Sequence, residues 1–393
     1  MAPVQNLPSN ATRPAVSHLS LVPSLRAADG AEDGALQSLS IGSLDLELGG
    51  HLADVTVAYR TWGKLNPAGD NAVLVLHALT GDSKAAGEGG WWAPLIGPGK
   101  AIDTDQAFVI CANILGGCQG TTGPTSIDPL TNRPYAMRFP IITIGDMVLV
   151  QRRLLELIGV TRVIPVGGSV GGFQVLEWAT RHPEMVIASA PIAATPALGP
   201  QGIALNEAGR RAIMADPDWR GGDYANEGVF PADGLAVARM IAMVTFHSRE
   251  SMDTRFARKQ ASRPSLYPSF GGTFDVEGYI HYHGAAIVRR FDANSHLYLT
   301  RAMDLYDVAR DGGEAHWIET IAAPMLLVGI RSDWLFPPDA ICEFAAHIVG
   351  AGKNAIYTEL DSPHGHDAFL KEWDQLTAQL GPFLTRYLPV SSS

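Results

Sequence analysis

Two hydrophobic rhythms divide the chain. Ala72-Val73-Leu74-Val75-Leu76 and Phe108-Val109-Ile110-Cys111-Ala112 are unbroken apolar runs, as expected of strands buried on both faces. Arg162 to Val166, Val186 to Ala190, Met325 to Gly329 and Ala355 to Leu360 read as further strands. Met147 to Ile158 has helical spacing, with Val150, Leu154, Leu157 and Ile158 on one side. Helices are also predicted near Ala340 to Ile348 and over Ala368 to Tyr387. Strands that alternate with helices imply a mostly parallel sheet covered on both faces. Upstream, Leu44 to Leu48 and Val55 to Tyr59 alternate well enough for antiparallel strands, with Gly49-Gly50 turning between them.

From about Thr195 to about Thr320 the rhythm changes. Leu235, Ala238, Arg239 and Ala242 recur at helical spacing, charges and aromatics are frequent, and strand-like runs are absent. This predicts a helical insertion over the sheet. The expected organisation is a mobile N-terminal tail over 1–35, an α/β core over 36–194 and 320–393, and a helical lid over 195–319. The tail assignment rests on Pro, Ser, Asn, Ala and Gly without periodicity.

Composition narrows the function classes. A formal net charge of −11 disfavours nucleic acid and anionic membrane as partners. It leaves room for an anionic substrate met by a local Arg and Lys cluster. The three cysteines, Cys111, Cys118 and Cys342, are odd in number and form no C-x-x-C. A disulfide framework or structural zinc site is therefore not expected, and a reduced cytoplasm is the simplest compartment. The longest candidate span, Met185 to Leu198, is broken by Pro191 and Pro196. Met1 to Arg13 lacks the basic start and apolar block of a secretory signal.

The chemistry centres on Gly167-Gly168-Ser169-Val170-Gly171. An apolar strand precedes it and an amphipathic segment follows, the context of a nucleophile elbow. Glycines let the backbone turn sharply and hold the Ser169 hydroxyl clear of the sheet. A serine hydroxyl needs a base, and the base needs an orienting acid. The chain order expected around such an elbow is nucleophile, acid, histidine. Asp333 follows the strand ending at Gly329, and His366 lies in the loop after the last strand. Ser169, Asp333 and His366 thus meet order, spacing and context together. The alternatives are an Asp333 that caps the next helix, where Asp339 is the better cap, and His364 as base. His364, His366 and Asp367 are also potential metal ligands, with His281 and His283 as the other tight cluster; no metal is expected. The oxyanion donors are expected at the amide of Val170 and in His77-Ala78-Leu79-Thr80-Gly81, at Leu79.

Several blocks have no generic structural reason to occur together. They include Gly90-Trp91-Trp92, Leu95-Ile96-Gly97-Pro98-Gly99-Lys100, Leu115-Gly116-Gly117-Cys118 and Thr122-Gly123-Pro124. Others are Ala204-Leu205-Asn206-Glu207, Leu235 to Met240, Arg290 to Ser295, Asp361-Ser362-Pro363 and Gly365 to Phe369. With the motifs above, they make the chain resemble the homoserine O-acyltransferases of the α/β-hydrolase fold. It departs in Val170, where the family usually has Met, and in His364, where it often has Tyr.

The resemblance implies an α/β-hydrolase fold and a two-step transfer. Acyl-CoA acylates Ser169, and the hydroxyl of L-homoserine, deprotonated by His366, then takes the acyl group in methionine biosynthesis. It implies Arg210 on the acceptor carboxylate and Asp367 on its ammonium, one fixed charge of each sign for a zwitterion. It implies a homodimer built through the lid helices and no bound cofactor. Succinyl-using relatives carry Arg two positions after the catalytic Asp. Leu335 stands there, which implies acetyl-CoA as donor. A succinyl donor, a serine acceptor and an ester hydrolase are the competing readings, and a binding protein without catalysis is a further one.

Overall fold

The computed structural model describes residues 32–261 and 272–389. The tail expected over 1–35 lies outside them except for residues 32–35. Eight strands form one sheet: β1 Gln37–Ser40, β2 Thr56–Trp62, β3 Ala72–Leu76, β4 Phe108–Ala112, β5 Val163–Gly168, β6 Ala190–Ile192, β7 Met325–Ile330 and β8 Ala355–Leu360. Their spatial order is β1-β2-β4-β3-β5-β6-β7-β8. β2 runs antiparallel to β1 and β4, and the other pairs are parallel. Every residue of β3, β4, β5 and β7 is buried, which explains their unbroken apolar runs.

Two early assignments need correction. The Gly49-Gly50 turn joins Leu44–Asp45 to His51–Leu52 in a small separate hairpin. Val55 to Tyr59 falls instead at the start of β2, paired with β1 and β4. The alternation was right and the partner wrong, because local periodicity carries no register information across a sheet. The strand after the elbow is Ala190–Ile192; Val186 makes only an isolated bridge to Val163.

The helices on the two faces are α1 Ile144–Leu157 and α2 Val170–Arg181, followed between β6 and β7 by α3 Pro200–Ala215, α4 Ala232–Phe246, α5 Asp275–Val288 and α6 Ala293–Asp304. α7 Pro338–Gly350 and α8 Trp373–Tyr387 close the chain. Alternate residues of β3 feed opposite cores. Leu74 and Leu76 pack with Met147, Leu154 and Phe173 of α1 and α2, whereas Val73 and Val75 pack with Leu376, Leu380 and Leu384 of α8. α1 begins with a capping box between Thr143 and Asp146. A buried polar seam then locks it to α2: Gln151 donates to Gln174 at 2.5 Å and accepts from the Trp178 indole at 2.9 Å.

α4 lies between α3 and α5, and α3 also packs on α6. Asp339 does not cap α7. Pro337 holds the cap position, and Asp339 sits inside the first turn, accepting from Ala340 N. The last helix starts later than its periodicity suggests. A short turn, Gly365–Leu370, takes up the first residues and carries His366. Among the described residues no helix is long and apolar enough to cross a membrane.

Candidate active site

The junction of β5 and α2 has almost no spare room. A Cβ on Gly171 would stand 2.1 Å from the Leu76 carbonyl oxygen, and one on Gly167 would stand 2.6 Å from the same atom. Glycine is required at both, because the nearby atom is backbone and cannot move aside. Between them Ser169 adopts φ 60° and ψ −124°, a left-handed conformation costly for a residue with a Cβ. Its amide is tied to the Ile192 carbonyl at 3.0 Å, and its carbonyl accepts from Phe173 N at 3.1 Å. The serine opens the N-terminus of α2, where amide dipoles favour negative charge.

β7 delivers Asp333. Its Oδ1 accepts from the amides of Leu335 and Phe336 at 2.9 and 3.0 Å, which fixes the carboxylate plane. Its Oδ2 accepts from His366 Nδ1 at 2.7 Å. That bond assigns the proton of neutral His366 to Nδ1 and leaves Nε2 basic. Nε2 is buried and has no partner among the described residues. The imidazole stacks on Phe336, with centroids 4.9 Å apart, and also meets Phe246 and Phe369. Phe369 covers Gly168 as well, so one ring spans the histidine and the residue before Ser169. Burial lowers the His366 pKa, but the Asp333 charge, its hydrogen bond and Asp367 outweigh that and raise it above the ordinary value. His364 is turned away, 4.0 Å from Glu372 and 42% exposed. His366, not His364, is the imidazole on the buried acid. Among the described residues no group of three or more His, Cys, Asp or Glu is arranged to hold a metal.

The loop after β3 brings Leu79 to the same pocket as Ser169. His77 sets that loop: its Nδ1 donates to the Ala78 carbonyl at 2.9 Å, and its Nε2 accepts from Ile114 N at 3.3 Å. Only a neutral imidazole serves both contacts, and burial lowers its pKa accordingly. The amides of Leu79 and Val170 donate to no acceptor among the described residues. They are therefore free to serve a developing oxyanion.

A pocket opens beside Ser169, walled by Leu198, Leu205, Ala238, Ile241, Met303 and Leu335. Leu335 thus shares the pocket with the nucleophile. Arg210 is engaged on one side only, and its buried Nη1 has no partner among the described residues. It is 7% exposed, and its Nη2 lies 2.6 Å from Asp304 and 2.9 Å from Glu207. Asn206 also holds Asp304, at 2.8 Å. The group ties α3 to α6. Arg239 of α4 feels the charge of Asp367, although the two form no direct ion pair. Its guanidinium lies over the Phe246 ring at 5.4 Å, next to His366, and reaches Thr80 of the Leu79 loop. Sequence reading passed over Arg239, although it is the lone basic residue in an apolar helix, Ala232–Phe246. That was the available signal.

Comparison with known proteins fits this geometry. Residues 71–372 match the family model described as alpha/beta hydrolase fold. A homoserine O-acetyltransferase of Moorella thermoacetica is 48% identical over 355 residues, 88% of this chain and 94% of that protein. The crystal structure of homoserine O-acetyltransferase from Bacillus anthracis superposes with a TM-score of 0.84 at 28% identity, covering 92% of this chain and all of that one. This chain belongs to the homoserine O-acetyltransferase family.

The family's α/β-hydrolase fold also hosts hydrolysis. An acetylester hydrolase from Corynebacterium glutamicum is similar in structure, with a TM-score of 0.75 and 26% identity over 89% of this chain and 96% of that one. The triad is common ground between the two chemistries, so the acyltransferase has to be distinguished by what surrounds it.

The buried acid generates a testable expectation. The base must be unprotonated to act, so acylation should fall as pH drops through a His366 pKa raised above 6.5. Asp333→Asn should cut kcat by about 10³–10⁴ and move that acid limb to lower pH. Stopped-flow acylation with a chromogenic acetyl ester measures both. An unmoved limb would detach Asp333 from the base.

Proposed function

We propose that this enzyme moves an acetyl group from acetyl-CoA to the hydroxyl of L-homoserine through an acetyl-Ser169 intermediate. The observation that carries the reading is the arrangement of Arg239 and Asp367, which feel one another's charge without a direct ion pair, near the His366–Asp333 couple. It offers one charge of each sign, which a zwitterionic amino acid needs and a simple ester does not.

In the first half-reaction His366 Nε2 takes the Ser169 proton as Oγ attacks the thioester carbonyl. The oxyanion is held by the amides of Leu79 and Val170. Collapse expels the CoA thiolate, and His366 returns the proton to it. In the second half-reaction Arg239 takes the acceptor carboxylate and Asp367 its ammonium. His366 removes the proton from the acceptor hydroxyl, the alkoxide attacks the acetyl carbonyl, and Ser169 leaves as the proton returns to it. This reading gives the carboxylate role to Arg239 rather than Arg210, because Arg239 lies over Phe246 beside His366 whereas the Nη2 of Arg210 is engaged by Asp304 and Glu207. Helices α3 to α6 act as the lid over 195–319 that keeps water from the acyl-enzyme. Leu335 offers no counter-charge for a carboxylate-ended acyl group in a closed site, which favours acetyl over succinyl. Val237, Val244 and Tyr282 leave apolar surface exposed on α4 and α5, which supports a homodimer through these helices.

Thiol release should be fast with acetyl-CoA and homoserine, slow with succinyl-CoA or serine, and absent in Ser169→Ala. Leu335→Arg should raise the succinyl-to-acetyl ratio. A wild type that prefers succinyl-CoA would refute the donor assignment.

Arg239→Ala should cost about 2–5 kcal/mol in kcat/KM for homoserine while acylation by acetyl-CoA continues. Arg210→Ala should act instead on stability, since it strands the buried Asp304 carboxylate. Light scattering of the purified chain should give twice the 41.9 kDa protomer mass.

A further inference from the structure

The pocket beside Ser169 is lined mainly by aliphatic side chains, and its few polar linings differ in whether they are satisfied. Asn206 is spent on Asp304 at 2.8 Å. The Thr245 hydroxyl donates to the Ala242 carbonyl at 2.8 Å. His296, on the first turns of α6, is different. Its residue is 6% exposed and lines the pocket, yet neither ring nitrogen has a hydrogen-bond partner among the described residues, and Nδ1 is fully buried. Burial of an imidazole without a partner costs free energy, because the stranded nitrogen gives up its hydrogen bond to water. A fold keeps such a group only if something else satisfies it.

The surroundings indicate what that something is. Gly209 of α3 faces the ring edge: a Cβ there would stand 3.9 Å from His296 Cε1, so this side of the ring is not walled off. Burial is the largest influence holding the imidazole neutral, with a pKa near 4, and the positive charges of Arg239 on α4 and Arg210 on α3 add to it. Arg210 is matched by Asp304 and Glu207. Arg239 has no carboxylate ion pair among the described residues and lies over the Phe246 ring, within reach of the charge of Asp367, the residue assigned above to the acceptor's ammonium. A hydrogen-bonding anion that enters this pocket would meet the uncharged His296 ring, with the positive charges of Arg239 and Arg210 close by.

We infer that His296 is a specificity-determining residue of the second half-reaction, donating a hydrogen bond to the acceptor's α-carboxylate beside Arg239. The inference rests on the acyl-transfer reading and deepens it. It gives the carboxylate two donors of different kinds, a charged fork and a neutral ring. It also explains why a histidine is kept in an aliphatic wall where a phenylalanine would pack without leaving a stranded nitrogen.

The test separates the acceptor's carboxylate from everything else. Wild type, His296→Ala and His296→Gln are each acetylated by acetyl-CoA and then offered L-homoserine or 3-aminopropan-1-ol, the same amino alcohol without its carboxylate. In His296→Ala, kcat/KM for homoserine should fall at least tenfold, mostly in KM, while that for 3-aminopropan-1-ol changes less than twofold. The rate of Ser169 acetylation should be unchanged. His296→Gln, which keeps a neutral donor, should recover much of the loss. An equal loss with both acceptors would make His296 a packing residue and overturn the inference. A change confined to the acyl-donor preference would place it on the acyl chain and overturn it too. If no variant, wild type included, forms acetyl-Ser169 or passes it to homoserine, the acyl-transfer reading itself has failed, and that outcome is distinct from the others.

Discussion

The site depends on how closely β3 approaches the start of α2. The Leu76 carbonyl oxygen stands where side chains on Gly167 and Gly171 would be. No other residue fits at either place, so β3, β5 and α2 meet at one fixed separation. Three consequences follow from that contact. Ser169 is forced into its left-handed turn at the mouth of the sheet. The chain leaving Leu76 passes directly into the His77–Gly81 loop, so Leu79 arrives next to the serine. The first amides of α2 are presented to the same point. The strain in Ser169 is sustained because the surrounding sheet over-determines it.

Around this junction the enzyme handles charge by pairing it before it is buried. Asp333 is dry but accepts three hydrogen bonds, two from backbone and one from His366. Glu177, 1% exposed at its side chain, is met by both Arg181 and Arg310. Asp304 is met by Arg210 and Asn206. Breaking any of these pairs would leave a buried charge uncompensated, which costs far more than the pair itself contributes. Against that background the unpaired groups stand out. Among the described residues, His366 Nε2, His296 Nδ1, Arg210 Nη1 and the amides of Leu79 and Val170 are polar atoms left without a partner. They outline where substrate atoms belong.

That outline also separates acyl transfer from hydrolysis on a shared scaffold. A triad and an oxyanion hole generate an acyl-serine in either case. What differs is whether water or a chosen hydroxyl reaches it next. Helices packed over the serine bias that competition toward transfer through exclusion of water, and a bound acceptor hydroxyl gains through proximity.

Much of this was legible in the amino-acid order, because the determining physics is local. A strand buried on both faces must be continuously apolar, and β3, β4, β5 and β7 were each visible as such runs. An elbow needs small residues on both sides of its nucleophile, so Ser169 announced itself. Asp333 and His366 were found from chain order and from their place after late strands. Tertiary structure decided the rest. The hairpin at Gly49-Gly50 took a different partner because register depends on what lies across the sheet. Arg210 and Arg239 look equally available along the chain. Only packing shows that the Nη2 of one guanidinium is taken by Asp304, 94 residues away in sequence, while the other lies over the Phe246 ring beside His366. His296 reads as one more helical histidine until the fold buries it beside Ser169 without a partner. Sequence reports which groups are present; whether a charge is already paired is a property of three-dimensional distance.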